Sequence, residues 1–504
     1  MSSRSSWSFH ESSVGQSFAW SLALSLLPVV AAFVSSWIIA RFSGPTVWGT
    51  VSWAMAFATQ LLIVAKVGIE LGASKLASEY GVSHPGVLRD LLRIASNLRL
   101  AFTLPTALVC YVFAHQIAVL LHDASLAPAV RIAAGIIFCA SIYEFQEQFL
   151  IGLNRHATVS RVRAAMLSLR LISNVVVVAI GLGAVAILAG YVAAWLVGIA
   201  AFSFLLRKYL PKVAEDHTEH RTIRRRLLAM TIPLAVSSAS VAVYTQIDKL
   251  VLGYFDTVEE VGQYSIARAV MEVSLFPAFA LVTTLRPALA ARFARGEMRE
   301  CARIVKRSLL LTLVAGVLFG SIFLVLSVPL LEMVYSTKYR YAGELMTWFA
   351  SVIVIRSLGA LVLPALLAAD RIRTYAWLTA GAAVLNLVLN VVLIPTMHSR
   401  GAIVSTIVSY GLLLVLGLRE VFVVFDVRLH ARAIGRVLRT LLAGGLVAGA
   451  IWLVIRQLQV ETWVWTLALA AIHVAAYAAL ILAFRVVRPA EIRPLMGNLL
   501  RVKG

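Results

Sequence analysis

Phe42-Ser-Gly-Pro-Thr-Val-Trp-Gly49-Thr-Val-Ser52-Trp-Ala54 returns 213 residues later as Phe255-Asp-Thr-Val-Glu-Glu-Val-Gly262-Gln-Tyr-Ser265-Ile-Ala267. The phenylalanine, glycine, serine and alanine keep their places, and each stretch sits at a short gap between two long apolar runs. A second echo runs at an offset of 216: Leu150, Arg155, Thr158, Leu169, Leu171, Asn174, Val175 and Val176 fall on Leu366, Arg371, Thr374, Leu385, Leu387, Asn390, Val391 and Val392. Single matches between apolar helices arise by chance. Two echoes at nearly one offset point to a duplicated unit.

The unit is a membrane unit. A bilayer core about 30 Å thick is crossed by about 20 apolar residues. Apolar residues are 61% of the 504 and charged ones 14%, and about fourteen segments of spanning length fill the chain. They lie near 16–41, 47–72, 97–117, 126–152, 161–181, 184–206 and 227–253, then near 263–291, 308–329, 343–368, 374–395, 401–418, 440–456 and 463–484. Six spans per copy place both copies in the same orientation, related by an axis along the membrane normal, with a central site between them. The expected organisation is all-α: an N-lobe at 1–206, a link at 207–226 and a C-lobe at 227–424. An extra helix pair with a tail follows at 425–504. The link carries His217, His220 and Arg224–Arg226. No gap is long enough for a soluble catalytic domain.

The net charge of +21 would suit nucleic acid, but its placement does not. Lys and Arg crowd every second gap: Lys75, Arg89 and Arg93; Arg155, Arg161 and Arg163; Arg207, Lys208 and Arg221–Arg226; Arg292–Arg307; Arg371 and Arg373; Arg428–Arg436. In the other gaps or at their edges stand only Arg41, Lys338, Arg340, Arg400 and Arg456. Basic loops stay on the cytoplasmic side, so the basic gaps and both termini are expected inside, with lipid headgroups as their partners. Arginine far outnumbers lysine and alanine is abundant, a composition that fits a GC-rich bacterial genome. The Ser-rich first fifteen residues show no signal-cleavage pattern, so the first span is expected to be a mature helix. Cys110, Cys139 and Cys301 make no metal or disulfide spacing.

Three stretches carry a family resemblance. They are Ile38-Ile-Ala-Arg-Phe-Ser-Gly-Pro-Thr-Val-Trp-Gly49; Gln246-Ile-Asp-Lys-Leu-Val-Leu-Gly253 with Glu259-Glu-Val-Gly-Gln-Tyr-Ser-Ile-Ala-Arg268; and Leu385-Asn-Leu-Val-Leu-Asn-Val-Val-Leu-Ile-Pro395 with Arg400-Gly-Ala402. The chain resembles, over nearly its whole length, the polysaccharide-transporter branch of the MOP exporter superfamily, which has a MATE-like fold. The resemblance implies two six-helix lobes and a further helix pair. It also implies a flippase that moves undecaprenyl-diphosphate-linked oligosaccharide to the outer leaflet by alternating access, for O-antigen or exopolysaccharide synthesis. Polymerase and assembly proteins would be its partners. The lipid II branch carries arginines in its first helix; Ser21–Ala40 has none, which favours another lipid-linked glycan.

Ionisable residues inside spans are the sharpest pointers, because each is costly in lipid. Arg170 and Arg356 fall mid-span and suit either a substrate phosphate or a helix-bracing pair, with Glu144 and Glu147 available to Arg170. Arg268 and Glu272, four apart, share a helix face. Tyr264-x-x-Ala-Arg268 resembles the segment that carries a cavity arginine in the lipid II branch, which implies diphosphate contact; a local pair with Glu272 is the alternative. Arg286 precedes Pro287 near an inner end. Asp248 and its neighbour Lys249 point about 100° apart on a helix, so Asp248 is open to a coupling proton or sodium ion, as are Glu272, Glu144 and Glu147, or to a bracing role. Lys66, with Glu70 one turn on, is a cavity cation or a snorkelling surface lysine. Trp20, Trp37, Trp53 and Trp195 fit interfaces or packing.

There is no phosphate-binding Gly-x-x-x-x-Gly-Lys-[Ser/Thr] loop and no HExxH or Cys/His cluster. No cofactor and no ATP hydrolysis are expected. Two other classes remain in view: a multidrug/cation antiporter of the same superfamily, and a membrane-embedded glycan polymerase or ligase, which would carry a large outside loop.

Overall fold

The computed structural model describes residues 14–210, 220–428, 430–458 and 463–487, with backbone alone at 14–26, 82–83, 220–221, 232–244 and 283–287. Residues 211–219 of the expected link, the histidine at 217 among them, and the side chains of Trp20, His220 and Arg286 lie outside the described residues. Every regular element among them is helical. In order they are α1 (Val14–Lys66), α2 (Ile69–Ser83), α3 (Leu88–Val112), α4 (Ala114–Leu120), α5 (Ala127–Gly152), α6 (His156–Ala179), α7 (Ala184–Tyr209) and α8 (His220–Phe255). Then come α9 (Val258–Ser274), α10 (Phe276–Ala294), α11 (Met298–Tyr335), α12 (Arg340–Gly359), α13 (Val362–Ala368), α14 (Ile372–Val424), α15 (Ala431–Leu458) and α16 (Trp463–Ala483).

Length and apolarity pick out ten membrane-length helices among the described residues, eleven if the bent pair α3–α4 is one span. That is fewer than the expected fourteen, in part because two hairpins each run as one 53-residue helix through a single broken residue. In α1 the break is Gly44, at φ 84° and ψ 176°, a conformation only glycine adopts without strain. Pro45 then opens the second leg with its φ already set. In α14 the break falls on His398, at φ 53° and ψ −139°, a strained place for a residue with a side chain. The imidazole Nδ1 meets Asp256 Oδ2 at 2.7 Å, which ties this turn to the turn between α8 and α9.

The repeat is visible in the backbone. After α5, Asn154 takes φ 58°; after α13, Asp370 takes φ 56°. The next amide bonds back in both copies, Arg155 N to Leu150 O at 3.0 Å and Arg371 N to Leu366 O at 2.8 Å. These are matching Schellman turns, 216 residues apart.

The offset of 213 marks the axis itself. Ser52 Oγ donates to Ser265 Oγ at 2.7 Å. A Cβ on Gly49 would strike the carbonyl of Val258, and one on Gly262 would strike the carbonyl of Pro45. Pro45 and Val258 are themselves repeat equivalents, so the contact is self-complementary. Glycine is required here for space: the second leg of α1 and the first turns of α9 run backbone against backbone.

Further contacts close the same face. Arg41 Nη1 donates to the carbonyls of Met333 and Val334 at 2.9 and 2.8 Å, where α11 ends, and a cation there complements the helix dipole. Trp37 Nε1 donates to Val334 O at 2.9 Å. The basic face is joined across the lobes by Arg226, which donates to Glu79 Oε2 at 2.9 Å and Tyr80 Oη at 3.0 Å. The extra pair α15–α16 clamps onto α11. Leu313 and Val317 pack with Val447 and Leu469, and Tyr477 Oη donates to Val314 O at 3.0 Å. Leu104, Leu108, Leu196, Phe204, Val423 and Leu438 stay exposed, the apolar exterior that a multi-pass membrane protein turns to lipid.

Gly262→Ala should lower the stability of the purified protein by about 1–3 kcal/mol, the cost of overpacking. Gly381→Ala is the control: its Cβ would meet nothing within 4 Å, and thermal unfolding in detergent should show it neutral or slightly stabilised.

Candidate functional site

Beneath the seam lies a cavity of about 380 Å³. The N-lobe contributes Phe33, Ser36, Ser52, Met55, Thr59, Arg170 and Tyr191, among others; the C-lobe contributes Gln246, Lys249, Ser265, Ala269, Glu272 and Val273. The wall is mixed, with hydroxyls and a carboxamide set among apolar side chains. Its charges come from both lobes.

Arg170 lies flat against Tyr191, with its guanidinium carbon 3.5 Å from the ring centroid. Its Nε is buried without a hydrogen-bond partner. Glu144 and Glu147, the partners considered for it, are taken elsewhere. Glu144 pairs with Lys66, and Glu147 accepts from Arg163 at 2.7 Å. Stacking on a tyrosine face holds a cation without neutralising it, so Arg170 keeps its charge for the cavity.

Lys66 does not reach this cavity. Residues Val67 and Gly68, at φ 47° and 71°, break the leg beside it, and the chain continues as α2 for 15 residues. Lys66 therefore lies at a mid-leg break, not at an inner end, and its ammonium is held by Glu144. Glu70 bonds Arg99 at 3.1 Å instead of facing Lys66.

Arg268 is also not on the cavity wall. It is 7% exposed, paired with Asp248, and donates to the carbonyl of Thr245 at 2.6 Å. Tyr264 Oη donates to the same Asp248 carboxylate at 2.5 Å. Arg268 thus makes its ion pair with Asp248 on α8 and acts on Glu272 through its charge, and the Asp248 carboxylate is already occupied by protein donors. Glu272 turns to Arg356 on α12, whose guanidinium also lies 4.9 Å from the ring of Tyr410. Glu272 reaches the cavity wall while Arg356 stands behind it.

Lys249 is the residue the sequence undersold. Asp248 turns one way to Arg268. Lys249, one residue on, turns into the cavity. The 100° step between neighbours was the available signal, since it separates the two charges. Tyr191 carried none, being one aromatic in an apolar span.

The family model for polysaccharide biosynthesis proteins matches residues 14–293, and that for the lipid II flippase MurJ matches residues 159–473. The chain belongs to the polysaccharide biosynthesis protein family, and the MurJ model also matches more than half of it. A MurJ structure in an inward closed conformation shares the fold with TM-score 0.72 at 14% identity, over 95% of this chain and 100% of that one. An inward-facing multidrug-resistance MATE transporter of the MOP superfamily follows at TM-score 0.63 and 12% identity, over 79% of this chain and 96% of its own. In sequence, the probable low-salt glycan biosynthesis flippase Agl15 of Haloferax volcanii is 26% identical over 178 residues, 35% of this chain and 37% of that protein. The match thus spans little over a third of that relative. These relatives are flippases and transporters, which counts against the polymerase or ligase alternative.

Asp248 and Arg268 should behave as a buried pair. Removing either charge leaves the other unpaired, at a cost of about 3–5 kcal/mol. Asp248→Asn with Arg268→Gln should be more stable than either single variant, as read by unfolding in detergent. Equal losses that simply add would show that the two side chains do not depend on each other.

Proposed function

We propose that this protein flips a polyprenyl-diphosphate-linked glycan from the cytoplasmic to the outer leaflet of a bacterial inner membrane, by alternating access, for surface-polysaccharide assembly. The observation that carries the reading is one cavity faced by cations from both lobes, Arg170 and Lys249. A glycan headgroup cannot cross hydrocarbon unaided, because each unpaired hydroxyl costs kilocalories to desolvate. A diphosphate needs cationic donors. An interlobe cavity with hydroxyls and two cations meets both needs, and about 380 Å³ falls in the range of small-molecule sites. It suits a diphosphate with its first sugar; a longer glycan would require the lobes to part.

The proposed cycle moves the seam. The basic face lies in the cytoplasm with both termini. In the structure the opposite face is shut at Ser52–Ser265 and at Arg41. Release outward would separate these contacts and leave the Gly49–Gly262 faces apart. Uphill transfer would draw on the membrane potential, about 2.3 kcal/mol per charge per 100 mV, or on a proton or sodium ion carried at Glu272. Asp248, bound by Arg268 and Tyr264, is less suited to that task. Polymerase and assembly proteins would take the product on the outer side.

The multidrug reading has the MATE-like fold in its favour. Against it stands the cavity: Arg170 and Lys249 outnumber Glu272, the one carboxylate in the lining, so the wall favours a diphosphate over an organic cation.

Purified protein in sealed vesicles with a labelled polyprenyl-diphosphate glycan should speed leaflet exchange without ATP, and an imposed potential should change the rate. Arg170→Gln with Lys249→Gln should lose most of that acceleration while remaining folded. Export of small organic cations with no glycolipid exchange would replace this reading with the multidrug one. Ser52→Cys with Ser265→Cys should form a disulfide under oxidant and stop exchange until reduced; a cross-linked protein that still transports would end the alternating-access proposal. A cysteine probe at 257 should label from outside and one at 225 should not.

A further inference from the structure

A second depression, about 860 Å³, lies away from the interlobe cavity, at the basic end of the N-lobe. It opens between α3 and α7, with α5 behind. Arg89, Arg93 and Arg207 stand around it and Arg99 lies in its floor; Asp90 is the one carboxylate in the lining. Arg93 and Arg207 are exposed. Leu92, Leu100, Phe145 and Leu206 give the walls an apolar side. Leu100, in the lining, is exposed, as is Phe204 beside Ser203 on α7.

The floor is unfinished. Arg99 is 2% exposed; its Nε donates to Ser141 Oγ at 2.8 Å and its Nη1 to Glu70 Oε2 at 3.1 Å. Its Nη2 is buried with no partner. Beside it Gln146 Nε2 donates to Ser203 Oγ at 2.8 Å, while Gln146 Oε1 is buried and also unpartnered. Unsatisfied buried polar atoms are uncommon and call for an occupant. One donor and one acceptor are left unpaired just beneath the surface of a groove with a surplus of guanidinium charge. A ligand that answers both carries an anionic phosphate and a hydroxyl. The apolar wall and the opening toward lipid call for acyl chains on the same molecule.

We propose that this groove binds an anionic phospholipid of the phosphatidylglycerol type. Its phosphate lies among Arg93, Arg99 and Arg207, its headgroup hydroxyl meets Gln146, and a chain lies along Leu100 and Leu206. The site is separate from the transport cavity and does not depend on what that cavity carries. It has a route to the moving parts: Arg99 holds Glu70 on α2, and α2 meets the C-lobe through Glu79 and Arg226.

The test uses the full-length protein, delipidated in detergent and examined by native mass spectrometry with added phosphatidylglycerol or phosphatidylcholine. Phosphatidylglycerol should be retained preferentially. Arg93→Ala with Arg207→Ala, both at exposed positions that leave the core intact, should weaken that retention by roughly fivefold for each charge removed. Gln146→Leu should weaken phosphatidylglycerol while sparing phosphatidic acid, which lacks the headgroup hydroxyl. Equal retention of the two lipids, or no change in the double variant, would overturn the site. Displacement of bound lipid by millimolar inorganic phosphate would show a free-phosphate site instead. Stronger, Arg93- and Arg207-dependent retention of a polyprenyl-diphosphate glycan would assign the groove to transport substrate and also refute the proposal.

Discussion

The close approach of α1 and α9 at Gly49 and Gly262 is the contact on which the rest of the architecture depends. Two glycines let the backbones of the lobes meet directly, and a repeat-related serine pair bonds across them at 2.7 Å. Because each half of the contact is a copy of the other, the seam is an internal isologous interface. Everything below it inherits that symmetry in place but not in chemistry. Lys249 corresponds to Ser36 and Glu272 to Thr59 at the offset of 213, and all four line the same cavity. The duplication supplies a symmetric shell. Divergence after duplication supplies the charge.

The fold was largely legible in the sequence because its signals are long-range and redundant. Span lengths, the alternation of basic gaps and the two echoes all point to one architecture, and the observed seam falls on the quoted echo. The helix breaks were less legible. Gly44 with Pro45 announces a turn, but His398 does not; its backbone is held from outside by Asp256. The break at Val67–Gly68 moved Lys66 from the expected end of a span to its middle, since a glycine in an apolar run gives no sign of whether it bends the helix.

The site was legible as a set of charges and illegible as a set of pairs. Spacing of three or four predicts partners along one helix, and that rule suggested Arg268 with Glu272 and Lys66 with Glu70. Neither pair forms. In a bundle the nearest opposite charge often stands on the neighbouring helix, so Arg268 goes to Asp248, Glu272 to Arg356, Lys66 to Glu144 and Glu70 to Arg99. Sequence spacing carries no information about rotation between helices.

That pairing also explains why two cations are left for the cavity. Carboxylates are scarcer than guanidinium and ammonium groups in this chain, 24 Asp and Glu against 45 Lys and Arg, and those inside the bundle are spent on buried partners. Arg170, with no carboxylate in ion-pair contact, is held on the face of Tyr191; Lys249 shares the cavity wall with Glu272, whose carboxylate favours the ammonium. Tyr191 is therefore a positioning residue for the proposed anion site. Replacing it with leucine would keep the volume of the wall apolar and remove the attraction that fixes the guanidinium, leaving the arginine present but unheld.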